Sequence, residues 1–217
     1  MKQFHGLSIP TELRDLCDPS KTALLVYDMQ VGICKQIAER ARILERCRAA
    51  LTQARRMGMR IAFTRHLSCP KRWMGASQVR TAMTWQRKDD PEAIAPLFLR
   101  ASPSFEIVPE LAPAADDLVL DKLSMSAFEG TPLPYILNDC EIRAVAIVGI
   151  ALEIGIEPTV RHATDMAFVP IVLADACGSG NAQAGARSLE TMRFLEEAFI
   201  SDVDTFFGLL SGATGSR

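Results

Sequence analysis

The sequence predicts an α/β fold, three layers deep (α-β-α), built on a mostly parallel six-stranded sheet. Three observations lead there. Short runs recur that are apolar at nearly every position, the mark of strands covered on both faces. Segments with apolar residues at steps of three and four separate them, as crossover helices would. Polar and ionisable residues gather just past the runs, where parallel sheets of this kind bind ligands.

The elements follow in order. "TALLVYDM" (22–29) is the first strand. Residues 34–57 read as a helix, with Ile37, Ala41, Leu44, Cys47, Leu51 and Ala54 on one face and Gly58 as its C-cap. "RIAFTRH" (60–66) is the second strand. Residues 67–105 are irregular, with one helix near 75–87. Both tryptophans, Trp73 and Trp85, fall in this stretch, together with Met74, Met83 and Phe98. So long a connection rich in aromatics reads as a lid or an interface segment. Its positive charges (Lys71, Arg72, Arg80, Arg87, Lys88) suit either a solvated face or attraction of a carboxylate. "DLVLDK" (117–122) is the third strand and 131–140 a short helix. "AVAIVG" (144–149) is the fourth strand, followed by a helix over 156–167. "VPIVLADA" (169–176) is the fifth, 182–196 a helix, and "FISDV" (199–203) a weaker sixth strand.

Bulk properties narrow the function. The 217 residues suit a single domain spanning the chain, 1–217. A net charge of −2 gives no electrostatic case for nucleic acid or an anionic membrane, and no apolar run is long enough to span a bilayer. The first 17 residues carry scattered charges and do not read as a signal peptide. Six cysteines without a CxxC suit reduced thiols, and hence a cytoplasmic location. With three histidines and no HxH or HExxH, no metal and no cofactor are expected, leaving open only a purely carboxylate metal site. There is no GxGxxG after the first strand and no P-loop, which argues against a nucleotide module.

The strand ends carry Asp28, Thr64-Arg65-His66, Asp121-Lys122, the segment "GIALEIGIEP" (149–158) and Asp175. Brought to one edge, an aspartate and a lysine hold each other charged and are able to move a proton. A structural ion pair is the plainer alternative. Glu153 and Glu157 lie one turn apart near a helix N-terminus, where carboxylates suit the macrodipole, and Arg161 is placed to pair with Glu157. His162 falls mid-helix and reads as structural.

"ALLVYDMQ", "DKLSMSAF" and "GIALEIGIEPTVRHATDM" through "VPIVLADAC" together resemble the three signature segments of the isochorismatase-like hydrolases, or cysteine hydrolase superfamily, in the right order. The resemblance implies a Rossmann-like fold and a hydrolase that forms homodimers or homotetramers. It makes Asp28 the general acid or base and Lys122 its supporting cation. It also places a non-proline cis peptide at Ile150-Ala151, aiming the N–H groups of 151 and 155 at a developing oxyanion. Most members carry a nucleophilic cysteine where this chain has Gly155, so the acyl-enzyme route is closed at that position. Glycine there resembles the true isochorismatases, yet Ser124, the Ala151-Leu152-Glu153 run and His66 depart from their pattern, so isochorismate is not the expected substrate.

The sequence therefore points to a hydrolase of a small organic molecule (amide, imide or enol ether), with direct attack by water standing over Gly155. The expected catalytic residues are Asp28 and Lys122. The expected substrate contacts are His66, Trp85, Phe128, Ala151 and Gly155. Cys34, Cys69 and Cys177 are weighed as substitute nucleophiles and read instead as small buried hydrophobes. The rival reading is an inactive binding protein on the same scaffold.

Overall fold

The computed structural model describes residues 1–214. A small antiparallel hairpin, β1 (Lys2–Phe4) and β2 (Leu7–Ile9), comes first. It turns through His5 and Gly6, both at positive φ (48° and 80°), the geometry a two-residue hairpin loop demands. No apolar run marks it in the sequence, because its strands are short and wholly exposed.

Six parallel strands then build the main sheet: β3 (Thr22–Tyr27), β4 (Ile61–His66), β5 (Leu118–Lys122), β6 (Ala144–Ile150), β7 (Val169–Gly178) and β8 (Phe199–Ser201), in the spatial order β5-β4-β3-β6-β7-β8. Strand order reverses between β3 and β6, so the chain leaving each strand there opens a crevice. Alternation along β3 divides the core in two. Leu24 and Val26 face Ile43, Cys47 and Leu51 of α2 (Arg40–Arg56) and Phe206 and Leu210 of α7 (Val203–Thr214). Ala23, Leu25 and Tyr27 face the other helical layer, formed by α4 (Leu133–Asp139), α5 (Glu157–Asp165) and α6 (Ala182–Phe194). The three expected layers are present. Burying both faces of β3 and β6 is why neither strand alternates in polarity.

Three boundaries differ from expectation. The helix expected over 34–57 is broken: α1 spans only Val31–Cys34, and α2 starts at Arg40. The N–H groups of Val31 and Gly32 bond to the carbonyls of Glu106 and Ser104 at 2.8 and 2.9 Å, so tertiary hydrogen bonds fix this stretch where periodicity reads onward. The expected helix over 156–167 begins earlier, as one π-helical turn at Leu152–Ile156, whose Ile156 N–H reaches the Ala151 carbonyl at 3.0 Å. The sixth strand stops at Ser201 because Asp202 caps α7, accepting from Thr205 N–H at 2.8 Å. Gly58 does end α2 in the left-handed region, and α3 (Ala76–Gln86) is the helix expected near 75–87.

Gly149, opposite Tyr27 in the β3–β6 ladder, is required by the close approach of the two backbones. Its φ is +127°, and a Cβ there would stand 2.1 Å from the Tyr27 carbonyl oxygen. Gly149→Ala should destabilise the protein by about 3 kcal/mol or more, since it combines a forbidden dihedral with a backbone clash. Denaturant midpoints measure this, and an unchanged midpoint would refute it.

Candidate active site

β3 ends because Asp28 turns left-handed (φ 46°), a conformation that aspartate tolerates better than most residues. The turn sets its carboxylate at the sheet's carboxyl edge. One oxygen accepts from Thr64 Oγ1 at 2.7 Å and the other from Lys122 Nζ at 2.7 Å. Lys122 comes from the end of β5, and its ammonium makes two more bonds, to Tyr27 Oη at 2.8 Å and to the Ser124 carbonyl at 3.1 Å. It also lies over the Tyr27 ring, 4.3 Å from the centroid. Both charged residues are almost fully buried, at 4% exposure for Asp28 and 2% for Lys122. Two charges so placed persist only because each is paired and hydrogen-bonded.

The remaining strand-end groups divide. His66 pairs with Lys122 across β4 and β5 and borders the same cavity. Asp121 points to the opposite side of the sheet, where Arg65 and Arg100 hold it at 2.8 and 3.1 Å. Asp175 lies within β7 and binds Arg46 at 2.6 Å, so neither aspartate joins Asp28. A one-residue step along a strand reverses the face, which separates Asp121 from Lys122.

Asp28 forms part of the floor of a cavity of about 170 Å³ whose other walls include Ile33, Ile37, Trp85, Phe98, Met125, Ile150, Ala151 and Ile154. A second cavity of about 150 Å³, under α3, shares His66, Trp85, Phe98 and Met125 with it. The segment 67–105 thus supplies much of the roof. Trp85 lines the cleft, whereas Trp73 stands 77% exposed outside it. Among the described residues, no arginine, lysine or cysteine lines either cavity. Lys71 is turned to Glu92 at 3.0 Å, well away from a ligand role.

Two of the expected contact residues lie elsewhere. Phe128 is 3% exposed and packs on Phe168 and His162 in the core. Gly155 is buried and does not border the cavity. The space above it holds no room for water, because the Tyr27 phenol fills it: a Cβ on Gly155 would lie 1.9 Å from Tyr27 Oη and 2.4 Å from Cζ. The Gly155 N–H donates to the Ala151 carbonyl at 3.0 Å and so is not free for an oxyanion. The Ile150-Ala151 peptide is cis, as the resemblance implies.

Several positioning residues went unread. Gln30 is fully buried; its amide donates to the carbonyls of His66 and Phe105 at 3.1 and 2.9 Å and accepts from His66 N–H at 2.6 Å. It locks the end of β4 to β3. Thr64, buried in "TRH", fixes Asp28, and Tyr27 completes the lysine's shell. A polar residue inside an apolar run was the available signal for each.

The other singled-out groups have structural partners. Glu153 accepts from Asn181 N–H at 2.8 Å, and Glu157 pairs with Arg161 at 3.0 Å. His162 Nδ1 meets Ser126 Oγ at 3.0 Å. Cys34 is buried and its thiol pushed up to about 11, and burial pushes the Cys177 thiol further. Gln78 donates to the Cys69 sulfur at 3.7 Å. Among the described residues no three His, Cys, Asp or Glu side chains converge in a metal-binding arrangement.

His66 faces Trp85 and Phe98 edge-on, with centroids 6.0 and 5.8 Å away. Burial lowers its pKa and Lys122 adds to that, against the opposing pull of Asp28. The imidazole is therefore neutral at neutral pH. An imidazole with a lowered folded pKa stabilises the fold while neutral. That contribution is fully present above the unfolded value near 6.5 and is lost as pH falls toward the folded value. His66→Gln should flatten the fall in melting temperature between about pH 7 and pH 5; a slope equal to wild type would contradict this. Gly155→Ala should cost about 1–3 kcal/mol or more by overpacking, and much less in a Tyr27→Val background. A double-mutant denaturation cycle measures that coupling.

Comparison with known proteins places the fold in a family. The Isochorismatase domain model matches residues 22–204. The chain is 29% identical over 209 residues to the ureidoacrylate amidohydrolase RutB of Serratia proteamaculans (strain 568), covering 89% of this chain and 80% of that one. Among solved structures, it resembles in fold a cysteine hydrolase from Pseudomonas syringae pv. phaseolicola 1448A (TM-score 0.76, 22% identity, 90% and 95% of the two chains). It likewise resembles the N-carbamoylsarcosine amidase of Thermoplasma acidophilum (TM-score 0.70, 21% identity, 85% and 97%). The nicotinamidase PncA of Bacillus subtilis gives a TM-score of 0.66 at 20% identity, over 84% and 99%. With a domain match that takes in every strand of the main sheet, and the Asp28–Lys122 pair at its edge, this chain belongs to the isochorismatase-like hydrolase family.

Proposed function

We propose that this protein hydrolyses a small, uncharged amide or imide by acid–base chemistry on Asp28 and Lys122, without a covalent cysteine intermediate. The observation that carries the reading is a buried aspartate–lysine pair whose aspartate floors an apolar cleft that, among the described residues, no thiol lines. Asp28 takes the proton of an attacking water, and Lys122, hydrogen-bonded to that carboxylate at 2.7 Å, holds it in place. The water belongs on the cavity side of Asp28, between it and the neutral His66, since the space over Gly155 is taken. Trp85 and Phe98 wall an apolar or aromatic substituent, and Ala151 closes the opposite side.

The charge class of the substrate follows from the lining. Among the described residues, Asp28 and the neutral His66 and Tyr27 are the titratable groups there, so a carboxylated substrate would meet one anion and no cation from them. An amide bond is favoured over an enol ether by the company this chain keeps: an amidohydrolase among its relatives, an amidase and a nicotinamidase among its structural neighbours. All six cysteines are free, in keeping with the cytoplasmic setting we propose.

Wild type should cleave a panel of small amides and imides that includes nicotinamide, releasing amine or ammonia from the amides, and Asp28→Asn should lose about 10²–10⁴-fold in kcat when assayed below its melting transition, which should stay cooperative but fall because Lys122 loses its counter-charge. Treatment with iodoacetamide should leave turnover unchanged. Full activity in the Asp28→Asn variant, or inactivation by the alkylating agent, would overturn the mechanism. Saturable binding of panel members without turnover would instead favour the inactive binding protein.

A further inference from the structure

We propose that the phenol of Tyr27 is the proton donor to the leaving group, and that Asp28 reprotonates it through Lys122. The inference rests on the hydrolytic reading above and assigns a third residue to it.

Three observations place the phenol in this role. Asp28 Oδ2, Lys122 Nζ and Tyr27 Oη form one unbroken hydrogen-bonded chain, with links of 2.7 and 2.8 Å. Asp28 and Tyr27 are both among the residues that line one cavity, and the Lys122 side chain between them is fully buried. The hydroxyl also occupies the side-chain space of Gly155, so a glycine and a tyrosine have divided one volume between them at the start of the helical layer over the switch point. One end of the chain is an acceptor and the other carries a proton. At rest the Tyr27 O–H donates a hydrogen bond to the Met125 carbonyl, and Met125 itself lines the cavity. A substrate nitrogen entering there would compete for the same proton.

The groups that face the phenol decide its form. Asp28 follows it directly past the end of β3, Lys122 comes from β5, and His66 lines the same cavity from β4. Burial and the Asp28 charge push the Tyr27 pKa well up, so the residue is a neutral acid and not a phenolate nucleophile.

The step balances. Water adds to the acyl carbon, forming a C–O bond, and its departing proton goes to Asp28. The tetrahedral intermediate collapses with cleavage of the C–N bond, and the leaving nitrogen takes the phenol proton. The phenolate recovers a proton from the Lys122 ammonium, and Lys122 recovers one from the Asp28 carboxylic acid. One water is consumed, an acid and an amine are released, and all three side chains return to their starting states.

Tyr27→Phe keeps the ring and deletes the proton. With acetanilide, whose amine must leave protonated, kcat should fall by about 10²–10⁴-fold. With 4-nitrophenyl acetate, whose leaving group departs as an anion, the loss should be at least about 10-fold smaller, because that step needs no acid and feels only the acceptor that Lys122 has lost. A hydroxyl that served only packing would depress both substrates alike. Replacing Tyr27 by 3,5-difluorotyrosine keeps the hydroxyl and its bonds but acidifies it, so the alkaline limb of acetanilide hydrolysis should move to lower pH. Equal losses on the two probes, or an alkaline limb that does not move, would overturn the role of Tyr27 and leave the hydrolase reading standing. Wild type inert towards both probes and the amide panel would overturn the two together.

Discussion

Lys122 carries three N–H donors, and all three are satisfied inside the protein: by Asp28, by the Tyr27 hydroxyl and by the Ser124 carbonyl. A side chain this deeply buried stays charged only if every donor finds an acceptor and a counter-charge lies in contact. The acceptors come from the end of β3 and from the loop after β5, which meet only once β4 has been inserted between those strands. The site is thus a consequence of the sheet order, and replacing either charge would leave its partner buried without compensation, at a cost of about 3–5 kcal/mol.

Around that contact the fold distributes tasks by strand periodicity. β3 sends Leu24 and Val26 to one helical layer and Leu25 and Tyr27 to the other, leaving Asp28 at the tip as the first residue free of both. β4 and β5 run in register so that His66 stands beside Lys122, while Arg65 and Asp121, one residue earlier, form their own pair on the far side. The same two-residue rule therefore keeps a structural ion pair and a candidate catalytic one apart, although their residues are adjacent in sequence.

That rule also explains what the sequence made legible. Runs such as "TALLVY" and "AVAIV" are apolar throughout because both faces are covered, so the strands and layers could be read directly. Asp28 and Lys122 were legible because each closes such a run with a charge. Asp121 and Asp175 carried the same signal and lie elsewhere, since a charge at a strand end fixes position along the strand but not the face it takes. The break before α2 was hidden because bonds to residues 104–106 cause it, far along the chain. Phe128 and Gly155 were misplaced for a related reason: matching a motif gives order along the chain, and whether a residue meets the cleft or the core depends on neighbours that no local pattern records.

Gly155 and Tyr27 make that last point chemically. Read alone, the glycine is a vacancy, and solvent is the natural occupant. Read with the strand beside it, the vacancy has a tenant from 128 residues earlier in the chain, whose hydroxyl is bonded to the ammonium that pairs with Asp28. A water in that place would exchange with solvent and carry no fixed acidity. A buried phenol does neither: its position is set by β3, and its proton is held tightly by the low-dielectric surroundings and the nearby carboxylate. The cleft it borders is apolar, and its imidazole is neutral. On the hydrolytic reading proposed above, a neutral donor beside a carboxylate acceptor moves protons without adding net charge to the cavity, which suits a small uncharged substrate.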